Sequence, residues 1–477
     1  MKVLIAASES HPFIKTGGLG DVVGALPKSL KKEGVDVRVI IPKYKDIRQD
    51  IRMELNFVKW FMVRLSWRNQ YCGVFEYTLD GVKYYFIDNE YYFNRDGLYG
   101  YYDDGERFAY FDKAVLEVLK EINWKPDVIH CNDWHTGMIP VMLNVEYKKD
   151  DFYKNIKTVF SIHNILYQGV FDPKVLPDIF GYDMSLFNDG SLEFYGGMSF
   201  MKGALNYSNR ISTVSNSYAE EIKTPQYGER LDGILRDKKD NLKGILNGID
   251  YSEYNPTVDK YIFKKYNLDT FEEKKKNKVK LQRELGLTLN RDIPVIGMVS
   301  RLTAQKGVDL IMDVIDRILQ YDVQLVILGT GDKYYEDQFI NLQRRYKNKV
   351  SVNIKFDNAL SHRIYAGCDM FLMPSLFEPC GLGQMIALKY GTIPIVRETG
   401  GLKDTIRSYN EYENKGNGFS FKGYSSNELL IMTEYALKLF QNKDIWMTIV
   451  AEAMNDDNSW SKSAKEYKEL YKSVMES

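Results

Sequence analysis

Cysteine is scarce in this sequence. Cys72, Cys131, Cys368 and Cys380 are scattered over 477 positions and form no CxxC pair. That spacing argues against a disulfide framework and against a zinc site. Five histidines include no HExxH, so the common zinc-hydrolase pattern is missing too. No apolar run approaches the ~18 residues of a membrane span. Lys and Arg number 64 against 65 Asp and Glu, a net charge of −1. This balance lacks the basic footprint of a nucleic-acid binder. The chain opens directly on a strand-like run, so neither a secretory signal nor a transit peptide is expected. The expectation is a cytoplasmic protein with no membrane and no nucleic-acid partner.

What is present is apolar content of 44 %, ample for large cores, and 35 tyrosines within an aromatic share of 14 %. Aromatic faces suit the flat apolar faces of sugars, and they are also ordinary core material. The length allows about three domains or two large ones. Strand-like runs alternate with helical patterns. In the first half they are Val3–Ala7, Val37–Ile41, Tyr84–Ile87, Val128–Cys131, Thr158–Ile162 and Ile211–Val214. A second series follows: Val295–Val299, Val323–Leu328, Val352–Phe356, Met370–Met373 and Ile393–Val396. Such alternation predicts parallel strands with crossover helices. The predicted class is α/β, with two doubly wound halves. The expected division is 1–242, 243–455 and an amphipathic tail helix in 456–477 that packs back on the first domain.

Several stretches break the rhythm. Pro27 lies inside the first helical pattern and predicts a kink or an early break. Asn89–Arg107 is rich in Tyr, Gly and Asp and predicts a long irregular loop. It is either a wall of a carbohydrate cleft, with Tyr92 facing the acceptor, or an insertion packed by its own aromatics. Thr224–Leu242 predicts a second mobile loop. Lys264–Lys280 predicts a charged helix with a solvated face.

The motifs fall just after strands, where doubly wound sheets place ligands. The first is Lys15-Thr16-Gly17-Gly18-Leu19-Gly20-Asp21, between a strand and a helix start. Backbone N–H groups at such a turn can hold an anion, glycine permits close approach, and Lys15 adds charge. An ordinary strand-to-helix turn with a surface lysine is the plain alternative. Its spacing is neither Gly-x-Gly-x-x-Gly nor that of a P-loop. Asn132-Asp133-Trp134-His135 and His163-Asn164 follow two more strands. His163 on these grounds is a general base, a metal ligand or a core histidine, ligation being the weakest of the three. Arg301 and Lys306 place two cations on one loop, as two adjacent phosphates require. Gly381 and Gly383 precede one helical run, and Thr399-Gly400-Gly401 another. Glu378, beside the first, is placed to accept bonds from sugar hydroxyls or to serve as a cap or ion-pair partner.

Together, Lys15-Thr16-Gly17-Gly18-Leu19, Asp133-Trp134-His135, Ser300-Arg301-Leu302 with Lys306-Gly307, and Phe377-Glu378-Pro379-Cys380-Gly381-Leu382 closely resemble bacterial glycogen synthases and plant starch synthases, in order and over essentially the whole chain. The resemblance implies a GT-B fold: two Rossmann-like domains facing across a deep cleft, the first on the acceptor side and the second on the nucleotide-sugar side. It implies retaining transfer of glucose from ADP-glucose to the non-reducing end of an α-1,4-glucan such as glycogen, with no metal or other cofactor. Carried over residue by residue, Lys15, Gly17 and Gly18 face the donor diphosphate, and Arg301 and Lys306 hold it. Glu378 binds hydroxyls of the donor glucose. The main-chain carbonyl of His163 lies beside the reacting centre. Asn247, Gly381, Leu382, Gly383, Thr399 and Gly400 belong to the donor side, and Asp133 and Trp134 to the acceptor side. Two positions depart from the family pattern. Phe356 stands where a Tyr commonly stacks on adenine, and Gly383 where many members have Thr. The motifs contain no second carboxylate placed as a glycosidase nucleophile. UDP-glucose as donor, a glucan phosphorylase and a non-catalytic glucan-binding relative are the alternatives.

Overall fold

A computed structural model describes residues 1–476 and divides into two compact units. Unit 1 comprises Met1–Asn247 together with the segment from Trp460 onward, and unit 2 comprises Gly248–Ser459.

Unit 1 is built on a nine-stranded sheet. Its strands run, across the sheet, Leu242–Gly244, Arg210–Thr213, Lys157–Ile162, Val128–Asn132, Lys2–Ala6, Asp36–Pro42, Val82–Asp88, Arg68–Leu79 and Asn56–Leu65. The first seven pair in parallel, and the last two add an antiparallel hairpin. The parallel strands are apolar on both faces, as helix cover on both sides demands. Val3 to Ala6 and Val128 to Cys131 are all essentially buried. The helix Trp460–Met475 completes this unit. Its Tyr471 hydroxyl lies 2.8 Å from His130 Nδ1, and Ser463 Oγ donates to the Leu246 carbonyl.

Unit 2 carries a six-stranded, all-parallel sheet in the order Val350–Asn353, Gln324–Leu328, Val295–Val299, Met370–Met373, Ile393–Arg397, Phe419–Phe421. In chain order this is 3-2-1-4-5-6, the Rossmann arrangement. The strand order reverses between Val295–Val299 and Met370–Met373. In unit 1 the same reversal falls between Lys2–Ala6 and Val128–Asn132. Loops leaving the carboxyl ends of these strand pairs are the expected ligand sites.

The structure corrects several local expectations. The first helix runs from Gly18 to Lys32 straight through buried Pro27. Asn89–Arg107 is not one loop: Glu90–Phe93 is a helical turn capped by the Asn89 side chain, and Asp104 begins an 18-residue helix. Thr224–Leu242 contains the helix Asp232–Asp237, anchored by buried Leu231 and Leu235. In the charged stretch only Lys274–Glu284 is α-helical, and it is not a solvated face. Lys274 is buried, its ammonium donating to the carbonyls of Tyr365 and Ala366 and to Thr392 Oγ1. Phe356 lies beyond its strand, which ends at Asn353. The hairpin Asn56–Leu79 is absent from the sequence reading, because its outer strand alternates around exposed rather than buried apolar residues.

Candidate active site

In unit 1 the turn after Lys2–Ala6 is organised by a buried carboxylate, Glu9. Its Oε2 accepts the Thr16 N–H at 2.5 Å and the Thr16 hydroxyl at 2.9 Å. Burial raises the Glu9 pKa in spite of these bonds. The four glycines beyond it fall into two classes. A Cβ on Gly20 would lie 2.5 Å from Lys15 Cβ, and one on Gly24 would lie 2.5 Å from the His11 carbonyl oxygen. Those two let the helix press onto the turn. A Cβ on Gly17 or Gly18 would meet nothing within 4 Å, and both residues are exposed. These two keep an open approach to the N-terminal end of a 15-residue helix, where backbone N–H groups lack intrahelical partners. Lys15 is not a free charge, because its ammonium lies 2.7 Å from Asp21 Oδ1 with both side chains about 30 % exposed.

The neighbouring strand ends bring Asn132, Asp133 and His163 together. The Asn132 amide donates to the carbonyls of Ala6 and His130, which fixes its orientation. Its Oδ1 therefore accepts from His163 Nε2 at 2.9 Å, so the imidazole carries its proton on Nε2. Burial holds His163 neutral, with its pKa lowered to about 3. Asp133 has a left-handed backbone, φ 56°. Its Oδ1 accepts the His163 N–H at 2.8 Å, and burial pushes its pKa up to about 7. Trp134 is 8 % exposed, stacked on His135 at 4.0 Å and edge-on to Phe108 at 5.1 Å. Only a small part of the ring is presented outward.

Tyr92 is a correction. It is fully buried, its hydroxyl donates to Glu106 at 2.6 Å, and its ring packs against Tyr110. The ring has no exposed surface, which matches the self-packed reading of that segment and not a side chain facing the acceptor. Asn247 is also buried, with Oδ1 lacking a hydrogen-bond partner.

In unit 2 the loops after Val295–Val299 and Met370–Met373 are clasped. Leu376 N–H donates to the Gln305 carbonyl at 2.9 Å, and left-handed Gly307 sits where any Cβ would strike Pro374. The clasp carries Lys306 Nζ to 2.6 Å from Glu378 Oε2, an oxygen that also accepts from Ser375 Oγ at 3.1 Å. Both side chains are largely buried, 16 % and 8 % exposed. Arg301 is exposed and touches Gln305 Oε1 at 3.3 Å. A buried guanidinium supports this arrangement from below. Arg397 Nε donates to the Ser375 carbonyl at 2.8 Å, and its Nη2 to that of Leu376.

The helix starts nearby differ from expectation. Gly400 and Gly401 lie against the Glu378–Cys380 backbone, where a Cβ on either would collide. The Gly401 N–H donates to the carbonyls of Glu378 and Pro379. It is engaged in joining two loops and is not open to an anion. Thr399 caps that helix by position but with no side-chain cap bond. Gly381 adopts φ 74°, and Leu382 stands before the helix that Gly383 begins. A Cβ on Gly383 would sit 3.1 Å from Phe371 and 3.3 Å from the Tyr365 hydroxyl, so packing favours glycine there. Phe356 is 84 % exposed, a large apolar ring held out in solvent. Sequence reasoning missed Glu9, Asn132 and Arg397 as organisers. Each is a single polar residue whose role depends on which carbonyls and N–H groups the fold brings near it.

Comparison with known proteins gives a consistent result. A profile of the starch synthase catalytic domain matches residues 2–237, and one of glycosyl transferases group 1 matches residues 286–443. A glycogen synthase of Clostridium perfringens is 63 % identical over 475 residues, covering 100 % of this chain and 98 % of its own. One of Clostridium botulinum is 62 % identical, covering 99 % of each. Among solved structures, the catalytic domain of starch synthase IV from Arabidopsis thaliana, bound to ADP and acarbose, superposes with TM-score 0.93 at 33 % identity, covering 100 % of this chain and 99 % of that one. A sucrose-phosphate synthase from Thermosynechococcus elongatus shares the fold, with TM-score 0.62 at 15 % identity. With two Rossmann-like units of GT-B type and full-length identity of 52–63 % to bacterial glycogen synthases, the chain belongs to the glycogen synthase and starch synthase family of glycosyltransferases.

Proposed function

We propose that this chain transfers glucose from ADP-glucose to the non-reducing end of an α-1,4-glucan with retention at the anomeric carbon, releasing ADP. The observation that carries the reading is the clasped pair Lys306–Glu378 at the strand reversal of unit 2, with Arg301 on the same loop. As the glycosidic bond of the donor breaks, negative charge grows on the diphosphate. Lys306, held in place by Glu378, and Arg301 on the same loop stabilise that charge. Glu378 accepts hydrogen bonds from hydroxyls of the donor glucose, and its bond to Ser375 fixes its orientation. The Lys15–Gly18 turn of unit 1 and Gly381 to Gly383 contribute further donor contacts, with Asn247, Thr399 and Gly400 on the donor side. Phe356 stacks on the adenine.

His163 is neutral and its Nε2 proton is committed to Asn132, so the imidazole does not act as an acid. Its main-chain carbonyl is the group that faces the positively charged sugar. Asp133 is engaged by backbone N–H groups and orders the His163 segment; it does not attack the sugar. The motifs, among the described residues, offer no second carboxylate beside Glu378, which disfavours a covalent glycosyl-enzyme. Departure of the diphosphate and attack by the acceptor hydroxyl on the same face account for retention. Trp134 forms part of the acceptor wall, and the protein acts in the cytoplasm.

The test compares ADP-glucose with UDP-glucose on glycogen, following nucleotide release. The expected result is a higher kcat/KM for ADP-glucose, and a preference for UDP-glucose overturns the donor assignment. Lys306→Ala and Glu378→Ala are each expected to lower kcat by roughly 10²-fold, because their contacts strengthen in the transition state. Unchanged kcat in either removes that residue from the machinery.

A further inference from the structure

The last strand of unit 2, Phe419–Phe421, is followed by a short connection in which Ser425 and Glu428 stand at the spacing of a helix capping box. Ser425 caps the helix Ser426–Phe440, its Oγ accepting the Glu428 N–H. The Glu428 carboxylate reaches back beyond the cap. It accepts the N–H groups of Gly423 at 2.8 Å and Lys422 at 3.1 Å. A Cβ on Gly423 would strike that carboxylate, so glycine leaves room for the tie. The backbone on both sides of Tyr424 is therefore fixed to one helix, and this aims the tyrosine.

Tyr424 is aimed at the turn that carries Lys306. Its hydroxyl donates to Asp309 Oδ1 at 2.6 Å and lies 3.3 Å from the Ala304 carbonyl oxygen. That carbonyl closes the turn Ala304–Lys306 by accepting the Gly307 N–H at 2.9 Å. Asp309 stands in the first turn of the helix Val308–Ile318. One hydroxyl thus touches the chain on both sides of Lys306. Burial, and after it the bond to Asp309, raise the pKa of this hydroxyl, so it keeps its proton and remains a donor. The tyrosine ring lies 5.8 Å from the Arg397 guanidinium, the group that holds the Ser375 and Leu376 carbonyls beneath Glu378.

We propose that Tyr424 is a positioning residue for the transfer reaction, fixing the place of the Lys306 ammonium beside Glu378 through the Ala304–Lys306 turn; the inference rests on the functional reading above. A lysine is a point charge on a flexible stem, so its placement depends on the backbone that carries it. A charge stabilises a transition state without reorganisation only where it is already in place. An error of about 1 Å in such a contact can cost about 10²-fold in rate. The turn beneath Lys306 is a three-residue 3₁₀ turn, whose hydrogen bonds are poorly aligned, and it ends on left-handed Gly307. Such a turn needs support from outside itself, and the Tyr424 hydroxyl supplies it.

The same connection carries its own contrast. Ser426 Oγ donates to Asp313 Oδ2 at 3.1 Å, one helical turn beyond Asp309 on the helix Val308–Ile318. Both bonds hold the connection to that helix. The bond from Tyr424 reaches the residues flanking Lys306, whereas the bond from Ser426 meets the helix further along. A role in holding helices together belongs to both residues, and a role in placing Lys306 belongs to Tyr424 alone of the two.

The test is a double-mutant cycle on the full chain, read by steady-state glucose transfer from ADP-glucose to glycogen. Tyr424→Phe removes the hydroxyl and keeps the ring. It is expected to lower kcat roughly three- to ten-fold, the size of one net hydrogen bond, with KM for glycogen unchanged. In the Lys306→Ala background the same change is expected to have no further effect, because residues that act through one another are not additive. Asp309→Ala is expected to reproduce the loss and to add nothing to Tyr424→Phe. Ser426→Ala is expected to keep wild-type kcat. Wild-type kcat in Tyr424→Phe overturns the proposal, and so does an equal fold-loss with Lys306 present and absent. A loss in Ser426→Ala equal to that in Tyr424→Phe overturns it too, since the connection then only holds helices together. Wild-type kcat in Lys306→Ala defeats the functional reading, and the positioning role falls with it. A loss in Lys306→Ala with an additive cycle leaves that reading standing and defeats the positioning role alone.

Discussion

Glycines 17, 18, 20 and 24 share one short stretch and answer to different demands. Gly17 is extended, with open space where a side chain would be. Gly17→Ala should change the unfolding free energy by no more than about 0.5 kcal/mol, as neutral surface changes do, while raising KM for the donor. Gly20→Ala meets Lys15 Cβ and should destabilise by about 1–3 kcal/mol, visible in denaturant unfolding. Asp133 and His163 offer a second residue-scale test. The folded Asp133 holds its proton up to about pH 7, well above an unfolded aspartate, so it makes stability fall as pH rises from about 4 to 7. The folded His163 stays neutral down to about pH 3, so it makes stability rise over about 3 to 6.5. The two slopes oppose each other where they overlap. Asp133→Asn removes the falling one, so its melting temperature should climb more steeply with pH than that of the wild type between pH 4.5 and about 6.5. A climb no steeper than wild type refutes the assignment.

At the scale of elements, the Glu378 loop is fixed by its neighbours more than by its own sequence. Gly401 receives it from one side and Arg397 from another. Arg397→Lys keeps the charge but not the forked donors. It should lower kcat and stability together by leaving the carbonyls of Ser375 or Leu376 unpaired, about 1–3 kcal/mol for a buried acceptor. Gly383→Thr must displace Phe371 or Tyr365 and should destabilise unit 2. These elements also show what was legible in advance. The apolar runs marked the parallel strands within a few residues, because strands buried on both faces leave continuous hydrophobic runs. The motifs after them located Lys15, His163, Lys306 and Glu378 at strand ends. The hairpin Asn56–Leu79 and the burial of Tyr92 and Lys274 were not legible. An exposed Trp60 and a buried Tyr92 are written in the same alphabet, and only the tertiary packing separates them.

At the scale of the molecule, each unit is a doubly wound sheet with its candidate residues at the strand reversal. Unit 1 is held partly by a file of polar atoms through its sheet. Tyr471 hydroxyl meets His130, whose Nε2 lies 2.6 Å from Ser161 Oγ, which in turn lies 2.5 Å from Ser212 Oγ. Tyr471→Phe breaks the first link and should cost about 1 kcal/mol in urea unfolding, with little change in kcat. The helix that carries Tyr471 follows the whole of unit 2 in the chain, yet its Tyr467, Leu470, Tyr471 and Val474 are buried within unit 1. Unit 2 is, in effect, an insertion into unit 1. During synthesis the half that leaves the ribosome first cannot complete its core until the other half has emerged, about 200 residues later by the usual amino-to-carboxyl order. A chain arrested after Ser459 should therefore contain a finished unit 2 beside a protease-sensitive unit 1, the reverse of the order in which their residues were made.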